Sequence, residues 1–398
     1  MWGRDGYRAV LAERSLRRLL AASLAGRVGF LMLPLGLIFL AGSAGAAGAL
    51  IAAFSVTSAF APARARVVDR RGAPALRGFA LACACATWAL VVAGLANAPT
   101  IALTALSGLV GFLAPPLGPF VRAAYGRTLR DSRDLLQRTF GLDSAGEEAA
   151  VIFAPLLAAG FAGLLSPEAG LAIAAAALLA GTVMTTSWTP QRVGAIATPT
   201  GRLPLPSALW LLYGGLGLTA AALGAIDISL PAATRELGHF SAAGVLLAVM
   251  AVATVAGSLI AGRGRWRGPP QWRVVALMAL MAGGVALTAS ATSSLALLGL
   301  ALIVPGAMLG ALFATAYVLA DRLAPAGSGT RTFAWLVTAN NGGLAVGAAV
   351  AGALAERSGA SAGLWFGAAC ALAGVVPASV SAVMSARELR RTPVTGVR

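Results

Sequence analysis

The stretch Arg138-Thr-Phe-Gly-Leu-Asp-Ser-Ala-Gly-Glu-Glu-Ala-Ala-Val-Ile-Phe-Ala-Pro155 carries two adjacent acids, Glu147 and Glu148, into a segment that is otherwise almost wholly apolar. It has an echo. Arg331-Thr-Phe-Ala-Trp-Leu-Val-Thr-Ala-Asn-Asn-Gly-Gly343 repeats the frame, with Asn340 and Asn341 where the acids stand. A chain that repeats itself once acidic and once neutral implies two related halves facing a shared site.

Composition sets the class. Of the 398 residues, 58% are hydrophobic and 11% charged, whereas soluble domains carry about 25% charged residues. The chain reads as an all-α integral membrane protein. All thirty basic residues are arginine, and the net charge is +16. In a soluble protein that charge would point to nucleic acid. Here the arginines cluster at the ends of apolar segments, a pattern of membrane topology, and no nucleic-acid partner is expected. Cys83, Cys85 and Cys370 lie in apolar runs without metal-ligand spacing and read as packing thiols. No metal or other cofactor is expected.

Twelve apolar segments follow, at approximately 19–41, 44–64, 76–96, 99–126, 144–165, 168–188, 207–231, 239–262, 273–291, 294–320, 332–355 and 361–385. Each is near the length that a bilayer demands, about 20 residues of helix. Helices are the assignment because open strands would leave backbone groups unpaired in lipid. Arginines crowd alternate loops: Arg64 to Arg77, Arg127 to Arg138, Arg192 and Arg202, Arg263 to Arg273, Arg322 and Arg331, and both chain ends. The opposite loops hold only Arg235 and Arg357. The positive-inside rule then puts both termini in the cytoplasm of a multi-pass protein of the cell membrane, with lipid as an obligate partner.

The halves divide at residues 191–206, giving an N-terminal six-helix bundle over 1–190 and a C-terminal bundle over 207–398. Three matches sit at nearly one offset. Leu117-Gly118 and Leu309-Gly310 are 192 residues apart, the Arg-Thr-Phe frames 193, and the loop elements Arg71-Gly72 and Arg267-Gly268 196. Together they argue for an internal repeat.

With that architecture the chain resembles the major facilitator superfamily along essentially its whole length. The family's helix 2–3 signature reads Gly-x-Leu-Ala-Asp-Arg-x-Gly, and this chain has Ala65-Arg66-Val67-Val68-Asp69-Arg70-Arg71-Gly72. Asp69, Arg70 and Gly72 match, while Ala65 replaces the leading glycine. The second-half copy keeps Gly257-Ser258-Leu259 but has Ala261 for the acid. The resemblance implies twelve transmembrane helices in two pseudo-symmetric bundles and secondary transport. It also implies a cytoplasmic gate around Asp69, Arg70 and Gly72, for which Arg122 and Arg127 are the candidate partners. The helix 4 pattern of the family's drug antiporters, an arginine followed by Gln-Gly, is absent.

An ionisable group at bilayer depth is expensive unless paired or hydrated. Arg27 lies nine residues past Arg18, about 13 Å along a helix. Glu147 lies nine residues past Arg138. A continuous helix from Arg138 would put both acids at Arg27's depth. Alternatively, Ser144-Ala-Gly-Glu147 is a capping-box pattern that starts the helix at Ser144 and leaves the acids in its first turn. Asp227 falls in the outer third of helix 7. Thr338, Asn340 and Asn341 are candidate substrate contacts, or packing groups between helices. Trp88 and Tyr213 lie deep enough to stack on an aromatic ligand. Trp188, Trp210, Trp272 and Trp335 read as an interfacial belt.

These residues point to a monomeric secondary transporter that moves a small hydrophobic or amphipathic organic compound by alternating access. Glu147, Glu148, Arg27 and Asp227 are the candidates for proton coupling, and export is the preferred direction. A proton-coupled importer and a non-transporting scaffold or sensor are the alternatives. An enzyme is not expected, since no nucleophile–base or metal-ligand constellation is visible and the one histidine, His239, falls at an outer loop.

Overall fold

The computed structural model describes residues 7–41, 44–188, 205–239, 242–263 and 268–391. The expected linker, 191–206, lies almost wholly outside them. Fifteen helices are described: α1 (Arg8–Ala12), α2 (Arg14–Leu40), α3 (Ala44–Ser58), α4 (Ala61–Arg71), α5 (Ala73–Leu95), α6 (Thr100–Leu113), α7 (Leu117–Thr128), α8 (Arg133–Leu164), α9 (Pro167–Trp188), α10 (Ser207–Glu236), α11 (Ala242–Arg263), α12 (Pro270–Ser290), α13 (Leu295–Leu323), α14 (Gly329–Ser358) and α15 (Ala360–Arg391). No strand occurs among the described residues. Eleven stretches are long and apolar enough to cross a membrane, with α6 and α7 counted as one. The shorter α3 supplies the remaining apolar segment, so the chain is a multi-pass membrane protein with the twelve expected segments.

Two of those segments are broken. The second stops at Ser58 and resumes at Ala61 as α4, with Pro62 in its first turn. The fourth stops at Leu113, passes through Ala114-Pro115-Pro116, and resumes as α7. A proline has no N–H to give the preceding turn and tolerates the first turn of a helix far better than its interior, and each break lies beside prolines.

The chain forms two compact units. The first comprises Met1–Leu135, Gly146–Gly201 and Ala326–Ala334; the second comprises Leu136–Ala145, Arg202–Pro325 and Trp335–Arg398. Within the first, α2 packs on α9, α3 on α6, and α5 on both α9 and α6. Within the second, α10 packs on α15, α11 on α13, and α12 on both α15 and α13. The same four pairings recur in the same order, which is the internal repeat expressed as packing. Small residues allow them. Gly26 and Gly181 bring the backbones of α2 and α9 together, Gly215 and Gly374 those of α10 and α15, and Gly310 that of α13 onto Thr254 of α11. Such close approach lets dispersion hold helices that gain little from burial in lipid. In the first unit Leu33, Leu37, Leu50, Phe54, Leu90 and Leu171 fill the space between them.

Candidate functional site

Three helices of the first unit bring charge together. On α2, Arg27 is buried, at 6% exposure. On α7, Arg122 is fully buried among Val121, Ala123 and Tyr125. Gly118, one turn before Arg122, explains how two large side chains fit here. A β-carbon at that position would lie 3.4 Å from Nε of Arg27 and 3.8 Å from a terminal nitrogen of Arg122. On α8, Glu147 completes the group: its carboxylate accepts a charge-assisted hydrogen bond from Arg122. The Glu147 side chain keeps 33% of its surface exposed while Arg122 keeps none. The pair therefore has one fully buried partner and one partly exposed one. Glu148, half-buried, follows Glu147 on the same helix.

The depth of these acids follows from the length of α8. It runs without interruption from Arg133 to Leu164, so Ser144 is an interior residue and caps nothing. Glu147 lies 14 residues from the helix start, about 21 Å along its axis. Tertiary contacts carry the helix past the local start signal. Within the second unit Gln137 Nε2 donates to the carbonyl of Ala261 (2.8 Å), and Ser258 Oγ donates to Ser144 Oγ (3.3 Å).

Asp69 sits near the end of α4. Its carboxylate accepts the backbone N–H groups of Thr330 (2.9 Å) and Arg331 (2.8 Å), the opening turn of α14. Those amides have no partner inside their own helix, and an anion there also meets the positive end of the helix dipole. Burial pushes the Asp69 carboxyl above the ordinary aspartate range, against the opposite pull of these hydrogen bonds and of Arg127. Gly72 ends α4 at φ 69°, a left-handed conformation that only glycine adopts without strain, and the chain turns directly into α5. Arg70 beside it is exposed. Of the two arginines expected around Asp69, Arg127 is close enough to act on it, whereas Arg122 reaches Glu147. Five helical residues raise Arg122 about 7.5 Å above Arg127, and a long side chain adds the rest.

The polar candidates of the second unit are arranged differently. On α14, Thr338 and Asn340 are half-buried and Asn341 is exposed, with Asn340 Nδ2 donating to Asn341 Oδ1 at 3.4 Å. Two and six residues on from Asn341, Gly343 and Gly347 press against the carbonyls of Gly217 and Ala221 of α10. Tyr213 is 3% exposed and packs edge-on to Trp210 at 5.8 Å, which in turn meets Trp335 at 4.9 Å. It belongs to an aromatic cluster and offers no open ring face. Trp88 on α5 is exposed, as is Asp227 on α10, on the side away from the glycine contacts with α15.

Two residues not singled out from the sequence are notable. Asp143 is 3% exposed, one turn before Glu147 on α8; its signal was the i, i+4 spacing of two acids. Arg64 is 5% exposed and bonded to backbone carbonyls, which no sequence pattern announces.

No family model and no curated protein sequence matches the chain. Solved structures do. The crystal structure of the human organic anion transporter MFSD10 (TETRAN) superposes with a TM-score of 0.70 over 93% of this chain and 99% of that one, at 16% identity. A bacterial homologue of the iron transporter ferroportin, in its outward-facing state, gives 0.67 over 94% and 100%, also at 16% identity. The same homologue soaked with iron gives 0.64 over 93% and 98%. Likeness at this identity establishes a shared fold.

Proposed function

From the fold of the major facilitator superfamily, which this chain has, we propose that it is a secondary active transporter of a small hydrophobic or amphipathic organic compound, driven by protons. The bundles over 1–190 and 207–398 would rock about the connecting segment to expose a central cavity to each side in turn. The observation that carries the reading is the Arg122–Glu147 pair at mid-helix, with the carboxylate as its accessible member.

The partly exposed carboxylate of Glu147 is backed by the fully buried guanidinium of Arg122. Ionised, Glu147 neutralises Arg122. Protonated, it loses most of the attraction, and Arg122 becomes available to other acceptors. The proton-coupled reading joins proton uptake at this carboxylate to occlusion of the site. Glu148 and Arg27 extend the same exchange by one group of each sign. Two guanidiniums close together disfavour a bare metal cation as cargo and suit an organic solute that brings its own polar or anionic group. The resemblance to exporters favours outward movement across the cytoplasmic membrane. On the inner side, Asp69 holding the first turn of α14, with Arg127 beside it, is the contact that a gate would release.

Reconstitution tests this. A fluorescent amphipathic compound that the wild-type protein moves down an imposed pH gradient should no longer respond to the gradient in Glu147→Gln/Glu148→Gln. Gradient-driven transport at the wild-type rate in that variant would remove both acids from the coupling mechanism.

A further inference from the structure

Arg64 has no place in the site just described, yet it is 5% exposed. Its guanidinium donates to three backbone carbonyls: Thr57 at 3.3 Å and Phe112 at 2.8 Å through one terminal nitrogen, and Ser58 at 3.0 Å through the other. Thr57 and Ser58 are the last two residues of α3, and Phe112 is the last but one of α6. All three are helix-end carbonyls at the negative ends of two helix dipoles; that of Thr57 also accepts the N–H of Phe60 at 3.2 Å, while Arg64 supplies the donors to Ser58 and Phe112. In a membrane segment such groups must find a partner in the protein. One side chain serves both breaks at once. Thr57 Oγ1 adds a bond to the carbonyl of Gly108 (2.7 Å), so the two breaks are tied side by side.

The repeat supplies a natural control. In the second unit the corresponding helices, α11 and α13, run unbroken. The residues 192 to 196 positions past Arg64 are Ala256, Gly257, Ser258, Leu259 and Ile260, with no arginine among them. Among the described residues, the paired breaks and the arginine that bridges them occur together in the first unit, where α11 and α13 of the second have neither.

What lies beyond each break gives the bridge a task. Beyond the first, α4 carries Asp69 and its hold on the opening amides of α14. Beyond the second, α7 carries Arg122 and its bond to Glu147. All of these residues belong to the first unit. We propose that Arg64 is a positioning residue of the transport cycle: by joining the two breaks it makes α4 and α7 turn together, so that a change at the Arg122–Glu147 pair is felt at Asp69. The inference rests on the transport reading for its purpose, but its mechanical content stands without any flux.

Hydrogen–deuterium exchange on the purified full-length protein in nanodiscs tests it at the amides of residues 328–334. Glu147→Gln, which mimics the protonated acid, should change exchange there by at least about fivefold, the lower end of ordinary coupling between sites. In an Arg64→Gln background the same substitution should change it by less than about twofold. Arg64→Lys keeps the charge on a single nitrogen that cannot span both breaks, so it should uncouple the sites as Gln does, and it decides the matter if Arg64→Gln is not recovered folded. The proposal is overturned if Glu147→Gln leaves residues 328–334 unchanged in the parent, or if its effect persists in either Arg64 variant. Loss of the transport reading alone would appear otherwise, as intact exchange coupling with no gradient-dependent flux.

Discussion

Removing the carboxylate of Glu147 should cost more than removing the arginine that it serves. Arg122 is fully buried and Glu147 keeps a third of its surface, 33%. Breaking a buried ion pair by deleting one partner costs about 3–5 kcal/mol, chiefly because the other charge is left in a poor environment. Glu147→Gln leaves the buried guanidinium facing a neutral amide, and about 3 kcal/mol is expected, the low end because the amide oxygen still accepts one hydrogen bond. Arg122→Met nearly preserves volume and leaves a carboxylate that keeps part of its surface exposed, so about 1–2 kcal/mol is expected, closer to a pair at the surface than to one in the core. The double variant then has no stranded charge and should be more stable than Glu147→Gln alone, although it carries one more substitution. Reversible unfolding in mixed micelles, read by tryptophan fluorescence at pH 8, measures all four corners of the cycle. A Glu147→Gln variant within about 0.5 kcal/mol of the parent, the usual range for an inconsequential surface change, would refute the argument. So would a double variant that loses the plain sum of the two singles.

Two further outcomes follow from the structure. Gly343 faces the carbonyl of Gly217 with no room for a β-carbon, whereas Gly342 next to it has nothing within 4 Å. Gly343→Ala should therefore destabilise by about 1–3 kcal/mol through overpacking. Gly342→Ala should be neutral or stabilising by up to about 1 kcal/mol from helix propensity, and paired thermal melts in one detergent compare the two. At Asp69, burial raises the carboxyl above its ordinary value, so the closed contact binds more protons than an open, hydrated one does. Its contribution is then fully present below the ordinary aspartate pKa and is lost as pH rises through the raised one. Protection of the Thr330 and Arg331 amides, corrected for intrinsic exchange, should fall across that window in the parent and stay level in Asp69→Asn.

Much of the fold could be read from residues because lipid removes most alternatives. Runs of apolar residues of spanning length can only be helices there, and the near-constant offset between Arg138 and Arg331 reappears as matched helix pairings in the two units. The breaks were less legible. Pro62, Pro115 and Pro116 stand in plain view, but proline is also found inside membrane helices that continue past it, as at Pro34 in α2 and Pro155 in α8. What separates a bend from a break is whether the freed carbonyls find other donors, and here the donor is Arg64, remote from Phe112 in sequence. The start of α8 admits two readings from sequence for a related reason. Ser144 and Glu147 have capping-box spacing, but Gln137 and Ser144 itself bond to α11, and tertiary contacts outweigh a cap worth about 1 kcal/mol.

The placement of charge in one half also has a packing explanation that composition could not supply. Glu147 and Glu148 correspond to Asn340 and Asn341 at an offset of 193. In the second unit the helix carrying the asparagines is drawn onto α10 by Gly217, Gly224, Gly343 and Gly347, backbone against backbone. Contact that close leaves no space for a guanidinium and its carboxylate. In the first unit the equivalent approach of α8 to α2 is made through a side chain, with Leu24 at 3.6 Å from the β-carbon position of Gly146. Held apart by leucine where its twin closes on glycine, that helix pair retains the width in which Arg27, and Arg122 from α7, can reach inward.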